Sequence, residues 1–511
     1  MRFGVFYDDR RLAEGGAMAE DLFDALLVHD TWDDEGYRTM FTLRVLTREG
    51  WIEVGTVKIG HVATDGENVP ANYLLPERFS RLDSSRYFSV GQDESYYYTL
   101  SEIPSAIREE VLTALRDIAY EEDSFRLARN QDVTRTSLLR FVKMSTVRGQ
   151  LRRIARGGAR RVSFDIAYEP PLPPAMGSVR FEFKVEPGSR PASNVHALTG
   201  RNGVGKSYVL SHLARAVAAV EPQINELGRI IEYGREGRSF NNLVTVSFSA
   251  FDDFPLVEGD EMFIASYVGL RVQGSRSPRF KTPGGLRKDF AQAMKACLTR
   301  ERSPQWIRAL RTLDYPGSGL LEEGWLENFE NTASLNSREN KARRLFRRLS
   351  AGHRLVLLTM TRLIEHVSER TLVIIDEPET HLHPPLLSAF MRALSDLLAE
   401  RNGLAIVATH SPVVLQEIPA HCVWKLWRYG GQLGAAQPRI ETYGENVGVL
   451  THEVFGLELT EAGFLHELRR LVDVGYSYDA VLEHFSGRLG SEAQLVLSAL
   501  LGQRDDVEGH G

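Results

Sequence analysis

The octet Gly200-Arg201-Asn202-Gly203-Val204-Gly205-Lys206-Ser207 has the spacing G-x-x-x-x-G-K-[ST], which suits phosphate chemistry. Gly200, Gly203 and Gly205, with Asn202 between them, let backbone N–H groups turn toward phosphate oxygens beside the positive end of a following helix. Lys206 has the reach to meet β- and γ-phosphates, and the Ser207 hydroxyl is a ligand for Mg²⁺. A second group comes from Leu372-Val373-Ile374-Ile375-Asp376-Glu377, an apolar strand-like run ending in two carboxylates. Asp376 is placed to hold Mg²⁺ through its water shell. Glu377 is placed to orient or deprotonate an attacking water. His410, after the run LAIVAT, is placed to hydrogen-bond a γ-phosphate and sense its loss. The pair His381 and His383 has no third and fourth ligand at a suitable spacing for a metal.

One further stretch, Leu349-Ser350-Ala351-Gly352-His353, reads two ways. Ser350 is an ordinary N-cap before an apolar helical run. The same hydroxyl and the adjacent backbone N–H groups also form an anion site at a helix N-terminus.

These residues need strands and helices in a fixed order. The phosphate loop should follow a short strand, NVHALTG, and open a helix over 206–219. Strands are expected at LVTVSFSAF, TLVIID and LAIVATH, with a helix PPLLSAFMRALSDLLAE between the last two. This alternation predicts parallel βαβ units. Upstream, Val162, Phe164, Ile166 and Tyr168, then Val179, Phe181, Phe183 and Val185, recur with period two and predict two amphipathic strands. The joint PPLPP at 170–174 predicts a hairpin-like connection. About 90 residues between Phe254 and Leu345 read as mostly helical.

The chain has 511 residues, too many for one ordinary core. The predicted class is α/β: an N-terminal α+β domain over 1–160, a phosphate-loop head over 161–450 with an antiparallel β subdomain and a helical lobe about 255–348, and a helical C-terminal segment over 451–511. A composition of 43% hydrophobic and 25% charged residues is that of a folded protein. Its two cysteines, Cys297 and Cys422, build neither a disulfide framework nor a zinc site, and the N-terminus lacks a signal-peptide core. The expectation is a cytoplasmic protein without a membrane partner.

A net charge of −7 argues against a globally basic nucleic-acid binder. Two local basic runs remain, one of Lys143, Arg148, Arg152, Arg153, Arg156, Arg160 and Arg161, the other of Lys341, Arg343, Arg344, Arg347 and Arg348. Each reads as a solvated helix face or as a candidate phosphate-binding patch for DNA or RNA. Tyr96, Tyr97 and Tyr98 read as packing residues rather than a stacking platform.

Taken in order, GRNGVGKS, LSAGH, IIDEPETHLHPP and ATHSP resemble the phosphate loop, signature, Walker B with D-loop, and H-loop of ABC-type ATPases. DEPETHLHPP further resembles the soluble branch with RecF-like, SMC-like and OLD-like ATPases and the ATPase subunits of anti-phage systems such as Septu and PARIS. The resemblance covers roughly 160–450. It implies ATP and Mg²⁺ as ligands, ATP hydrolysis, and a homodimer or higher homo-oligomer in which Ser350 and Gly352 meet the γ-phosphate held by the partner's loop.

It also implies a nucleic-acid-related task, such as anti-phage defence, with a separate effector protein, a nuclease or toxin. The chain after His410 carries no Glu and paired-Asp constellation for two-metal cleavage. A slow scaffold that stores and releases such an effector is the alternative. Three departures stand out: His353 replaces the usual Gln or Glu, Asp252 or Asp253 stands where a Q-loop Gln would be, and Phe181 is the candidate for stacking on adenine. Phe88-Ser89-Val90-Gly91-Gln92 mimics a signature but precedes the phosphate loop, out of order.

Overall fold

The computed structural model describes the chain except residues 8–21, 31, 63–74, 141, 159–160, 220, 222, 234–238, 248–256, 258, 260–262, 273–279, 299–301, 430, 462 and 509–511, and except the side chains of 145, 455–461, 492 and 503–508. The first sheet comprises β1 (Phe3–Phe6), β2 (Ala25–His29), β3 (Met40–Thr47), β4 (Gly50–His61), β5 (Arg78–Phe79) and β6 (Tyr87–Gly91). Their order is β5-β1-β2-β3-β4-β6. Strand β3 alternates buried and half-buried positions, as a one-sided strand should. Helices packed on the sheet complete a core that runs from Phe3 to Ala155. The signature mimic is β6, wholly buried, and a Cβ at Gly91 would strike the Tyr96 and Tyr97 rings. Tyr97 there donates to Asp117 Oδ2 at 2.9 Å. The tyrosines Tyr96 and Tyr97 are core.

A three-stranded antiparallel sheet follows, β7 (Phe164–Glu169), β8 (Phe181–Val185) and β10 (Arg229–Glu232), in the order β10-β7-β8. The Pro-rich joint connects β7 to β8, which pair antiparallel. The central sheet holds β9 (Val195–Gly200), β11 (Asn242–Ser247), β12 (Ile264–Gly269), β13 (Thr371–Asp376), β14 (Leu404–Thr409), β15 (Val423–Tyr429) and β16 (Gln432–Ala436). Its order is β12-β11-β13-β14-β9-β15-β16, with only the β15–β16 pair antiparallel. Strands β9, β11, β13 and β14 are buried along their whole length, which fits their apolar runs in a sheet covered on both faces.

One face of that sheet packs on the helix Lys206–Ala218 and the three-stranded sheet. The other packs on the helices Ala351–His366 and Pro384–Arg401 and on a lobe containing Pro283–Cys297, Ser303–Leu313 and Leu335–Arg348. The stretch read as mostly helical therefore contains a strand. Residues 264–269 (IASYVG) pair in parallel with β11, because the exposed edge of β11 offers a full row of backbone partners that local propensity does not reveal. The C-terminal helices Gly463–Asp473, Tyr478–His484 and Ser491–Glu508 share a small core of their own. No helix among the described residues is long and apolar enough to cross a membrane.

The first basic run is a joint. Arg153 forks onto Glu369 with contacts of 3.1 and 2.5 Å, Arg152 pairs with Glu122 at 2.6 Å, and Arg148 lies over the Phe125 ring. Lys143 donates to the His366 carbonyl at 3.2 Å, at the end of the helix that begins after Ser350. Arg401 meets Asp93 at 3.1 Å across the same seam. These cations are held by partners rather than offered to a ligand, so neither reading of that run survives for Arg152 and Arg153; Arg160 lies outside the described residues. Glu369 is 2% exposed, so Arg153→Ala should strand a buried carboxylate and lower stability by about 3 kcal/mol. The urea midpoint reports it, and Arg153→Met with Glu369→Leu should recover most of the loss.

Candidate functional site

The phosphate loop begins where β9 ends. Gly200 has φ +144°, and a Cβ there would run into the Leu426 carbonyl on β15. Gly203 and Gly205 have φ +71° and +119°, left-handed values that a side chain resists. Gly205 stands at the N-cap of the helix Lys206–Ala218, so the loop's N–H groups and the helix's positive end converge on one spot. Lys206, 5% exposed, donates to the carbonyls of Gly200 at 3.0 Å and Arg201 at 3.2 Å. It also reaches His410 Nε2 at 2.8 Å, which ties the loop to the end of β14.

Strand order brings in the carboxylates. Strand β14 separates β9 from β13, so Lys206, His410 and the pair Asp376-Glu377 emerge side by side at the carboxyl edge of the sheet, where open α/β sheets bind ligands. Asp376 is 4% exposed. Glu377 has φ +47°, a left-handed conformation that costs a non-glycine residue about 1–2 kcal/mol. That bend turns its carboxylate back to 3.2 Å from His410 Nε2.

Glu379 clamps the other side of His410. Its carboxylate accepts from His410 N at 2.6 Å and from Thr409 Oγ1 at 3.0 Å. Burial first, and the Lys206 ammonium second, hold the His410 imidazole below its ordinary pKa, against the raising influence of Glu377 and Glu379. The lowered pKa favours the neutral ring, whose Nε2 lies between the Lys206 ammonium and the Glu377 carboxylate. Ser207 and Asp376 supply the hard oxygen donors that suit Mg²⁺.

Asn202, Gly203, Gly205, Lys206, Ser207, Glu377 and His410 line a cavity of about 420 Å³. Leu172, Pro173, Met176, Tyr208 and Leu433 give it an apolar side, suited to a base or sugar. Phe181 is absent from it. The residue is fully buried, with the Trp424 ring edge-on at 5.6 Å, because the alternation of β8 turns it inward. Its assignment as the adenine-stacking ring is therefore corrected. Asp252 and Asp253 lie outside the described residues.

Two contributors escaped the sequence reading. Arg428, on β15, lines the same cavity and donates from Nε to the Val204 carbonyl at 3.1 Å, which anchors a guanidinium beside Gly205. No local motif marks it; only the pairing of β15 with β9 brings it there. Glu379 was visible as the third acid of DEPET, but its clamp on His410 is a tertiary contact.

Ser350 lies elsewhere. It caps the helix Ala351–His366, accepting from His353 N at 3.3 Å, and its Oγ is 2.8 Å from His353 Nδ1. Burial and the neighbouring His383 lower the His353 pKa, which favours a neutral ring that accepts the Ser350 hydroxyl proton. A Cβ at Gly352 would sit 3.0 Å from the His381 carbonyl, so this glycine also permits close packing of the segment after Glu379. Ser350 and His353 line a cavity of about 710 Å³ that among the described residues shares none with the phosphate-loop cavity. Among the described residues no cluster of three or more His, Cys, Asp or Glu forms a metal site.

Lys206→Ala should abolish nucleotide binding, and Arg428→Ala should weaken it about tenfold through the loss of a charge-assisted contact. Calorimetric titration with ATP checks both, and equal affinities of Arg428→Ala and the parent chain would remove Arg428 from the site.

Residues 307–416 match the family described as AAA domain, putative AbiEii toxin, Type IV TA system, a span containing Ser350, Asp376, Glu377 and His410. The chain overlays on 99% of the ADP conformation of an ATP-binding cassette of an ABC transporter, at 16% identity and a TM-score of 0.30. It also overlays on 91% of a nucleotide-free ATP-binding cassette from an ABC transporter, at 15% identity and a TM-score of 0.27. At such scores the strand order and the loop geometry, not the overlays, carry the fold. The loop, the carboxylates and His410 have the arrangement of a nucleotide-binding site, and the matched span carries the likeness to an AAA domain. Over 503 residues the chain is 38% identical to Protein ea59 of Escherichia phage lambda, spanning 94% of this chain and 95% of that one. With two chains alike over nearly their whole lengths, this protein belongs to the family of the phage lambda protein ea59.

Proposed function

We propose that the chain binds MgATP at the phosphate loop and hydrolyses it between two heads stacked head to tail. The observation that carries hydrolysis is the convergence of Lys206, His410 and Glu377 within 2.8 and 3.2 Å contacts. Backbone N–H groups of the loop and the Lys206 ammonium hold the β- and γ-phosphates. Bound Mg²⁺, held by Ser207 and Asp376, would neutralise phosphate charge. Glu377 accepts a proton from a water whose oxygen attacks the γ-phosphorus; the bond to the β–γ bridging oxygen breaks, leaving ADP and phosphate. Neutral His410 donates to the γ-phosphate, and Glu379 holds its backbone.

The Ser350 cavity and the phosphate-loop cavity have no lining residue in common among the described residues, which supports the two-headed arrangement. Turnover would then serve a nucleic-acid-related task in the cytoplasm, such as anti-phage defence through a separate effector nuclease or toxin. The order and spacing of the four motifs support that reading.

One contact favours a slower device. His353 already engages the Ser350 hydroxyl at 2.8 Å, so the group that would meet a partner's γ-phosphate must first change partners. An ATP-dependent scaffold with slow release of its effector fits that competition.

Glu377→Gln should cut turnover by about a hundredfold and leave an ATP-bound dimer that light scattering detects after gel filtration. Turnover unchanged by this substitution would defeat the mechanism. Because the His410 pKa is lowered, its ring stays neutral at and above neutral pH. Turnover should therefore be flat on the alkaline side of about 6.5 and fall only on the acid side, as protonation opposes the Lys206 charge. A steady-state pH profile tests this, and loss of turnover on going alkaline from pH 7 would contradict it.

A further inference from the structure

The second basic run differs from the first. Two lobe helices, Pro283–Cys297 and Leu335–Arg348, are joined through the stacked rings of Phe290 and Phe346, with centroids 4.3 Å apart. That apolar contact turns their charged faces outward together. Arg287 and Lys288 from one helix, with Arg343 and Arg347 from the other, line a hollow of about 260 Å³ above Phe290, Ala291 and Phe346, and among the described residues no carboxylate lines it. Arg347 also lines the larger cavity beside Ser350, where Lys341, Arg344 and Arg348 add positive charge and Glu322 and Glu323 lie on the same lining, Glu322 in an ion pair with Arg348.

Arg343 and Arg348 are paired, with Glu339 and Glu322 respectively. Arg287, Lys288, Arg344 and Arg347 are exposed, and none of the four makes an ion pair among the described residues. In a chain of net charge −7, four cations without an ion pair among the described residues on one helix pair are a local concentration of charge. The hydrolytic scheme uses none of them.

We infer that this seam binds the phosphodiester backbone of a nucleic acid. A guanidinium fork matches a phosphate's oxygens in a way that a point charge does not. The hollow accepts a single phosphate with its sugar, while the cations continue past Arg347 toward Arg344, which calls for a ligand whose anionic groups repeat. A lone inorganic phosphate would leave half of the seam unused. The lining offers cations that meet phosphates of any sequence, so binding depends on charge and falls with salt. This assignment rests on the proposed nucleic-acid-related task, but binding at the seam does not itself need turnover.

The test uses the full chain and fluorescence anisotropy, with labelled duplex DNA, single-stranded DNA and single-stranded RNA of equal length across a salt series. For the form that binds, the logarithm of affinity should fall linearly with the logarithm of salt concentration. Arg287→Glu with Lys288→Glu should reduce that slope by about two and the affinity at moderate salt by at least about tenfold. The neutral pair Arg287→Gln with Lys288→Gln should give the same direction of change and guards against misfolding, with matched thermal midpoints as the control.

Failure of all three nucleic acids to bind overturns the inference. So does an unchanged slope in both double variants, and so does polyglutamate competing as well as DNA, which would mark a seam for an acidic protein. ATP turnover is measured in parallel. Binding without turnover sinks the hydrolytic reading and keeps the seam, whereas turnover without binding sinks the seam alone.

Discussion

The structure depends on β14 lying between β9 and β13. Parallel pairing on both sides of that strand aligns three carboxyl ends at one edge, and each end carries a reactive group: the phosphate loop, His410 and the Asp376-Glu377 pair. Burial on both faces makes the alignment rigid, because a register slip would move a whole apolar strand against two packed layers. Lys206, His410 and Glu377 can then meet although they lie far apart in the chain.

Backbone conformations at this edge run against ordinary preference. Gly200, Gly203 and Gly205 take left-handed φ values without a Cβ penalty, whereas Glu377 takes one with it. Strain of that kind persists only where neighbours over-determine it. Here the Glu377 N–H donates to the Ala408 carbonyl at 2.9 Å, and its carboxylate faces His410. A residue held in an unfavourable conformation by its sheet neighbour, beside the phosphate loop, is placed for chemistry rather than for stability.

The helix Ala351–His366 links the remaining parts. Its N-terminus carries Ser350 and packs against the His381 carbonyl through Gly352. Its C-terminus receives Lys143 from the first domain, whose ammonium burial and nearby Arg302 push down to about 7. The lobe helices that bear the basic seam pack on its flank. A shift of this one helix would therefore be felt at Ser350, at the seam and at the joint with the first domain.

The local residue pattern by itself determined the elements of the site. The octet 200–207 reads as a strand-to-helix phosphate loop, the runs TLVIID and LAIVAT as buried strands, and Ser350 as the cap of the helix after it, since each signal lies within a few consecutive residues. Tertiary structure decided what depends on contacts between distant segments. It turned Phe181 into the core and recruited residues 264–269 into an edge strand. It delivered Arg428 to the nucleotide cavity through β15 and gave Glu379 its hold on His410. It also separated two similar basic runs, one engaged in a domain joint because Glu369 lies opposite Arg153, the other with Arg344 and Arg347 left exposed because Phe290 and Phe346 turn its helix outward. Charge runs carry no local record of what faces them, which is why their roles could be read only from the folded chain.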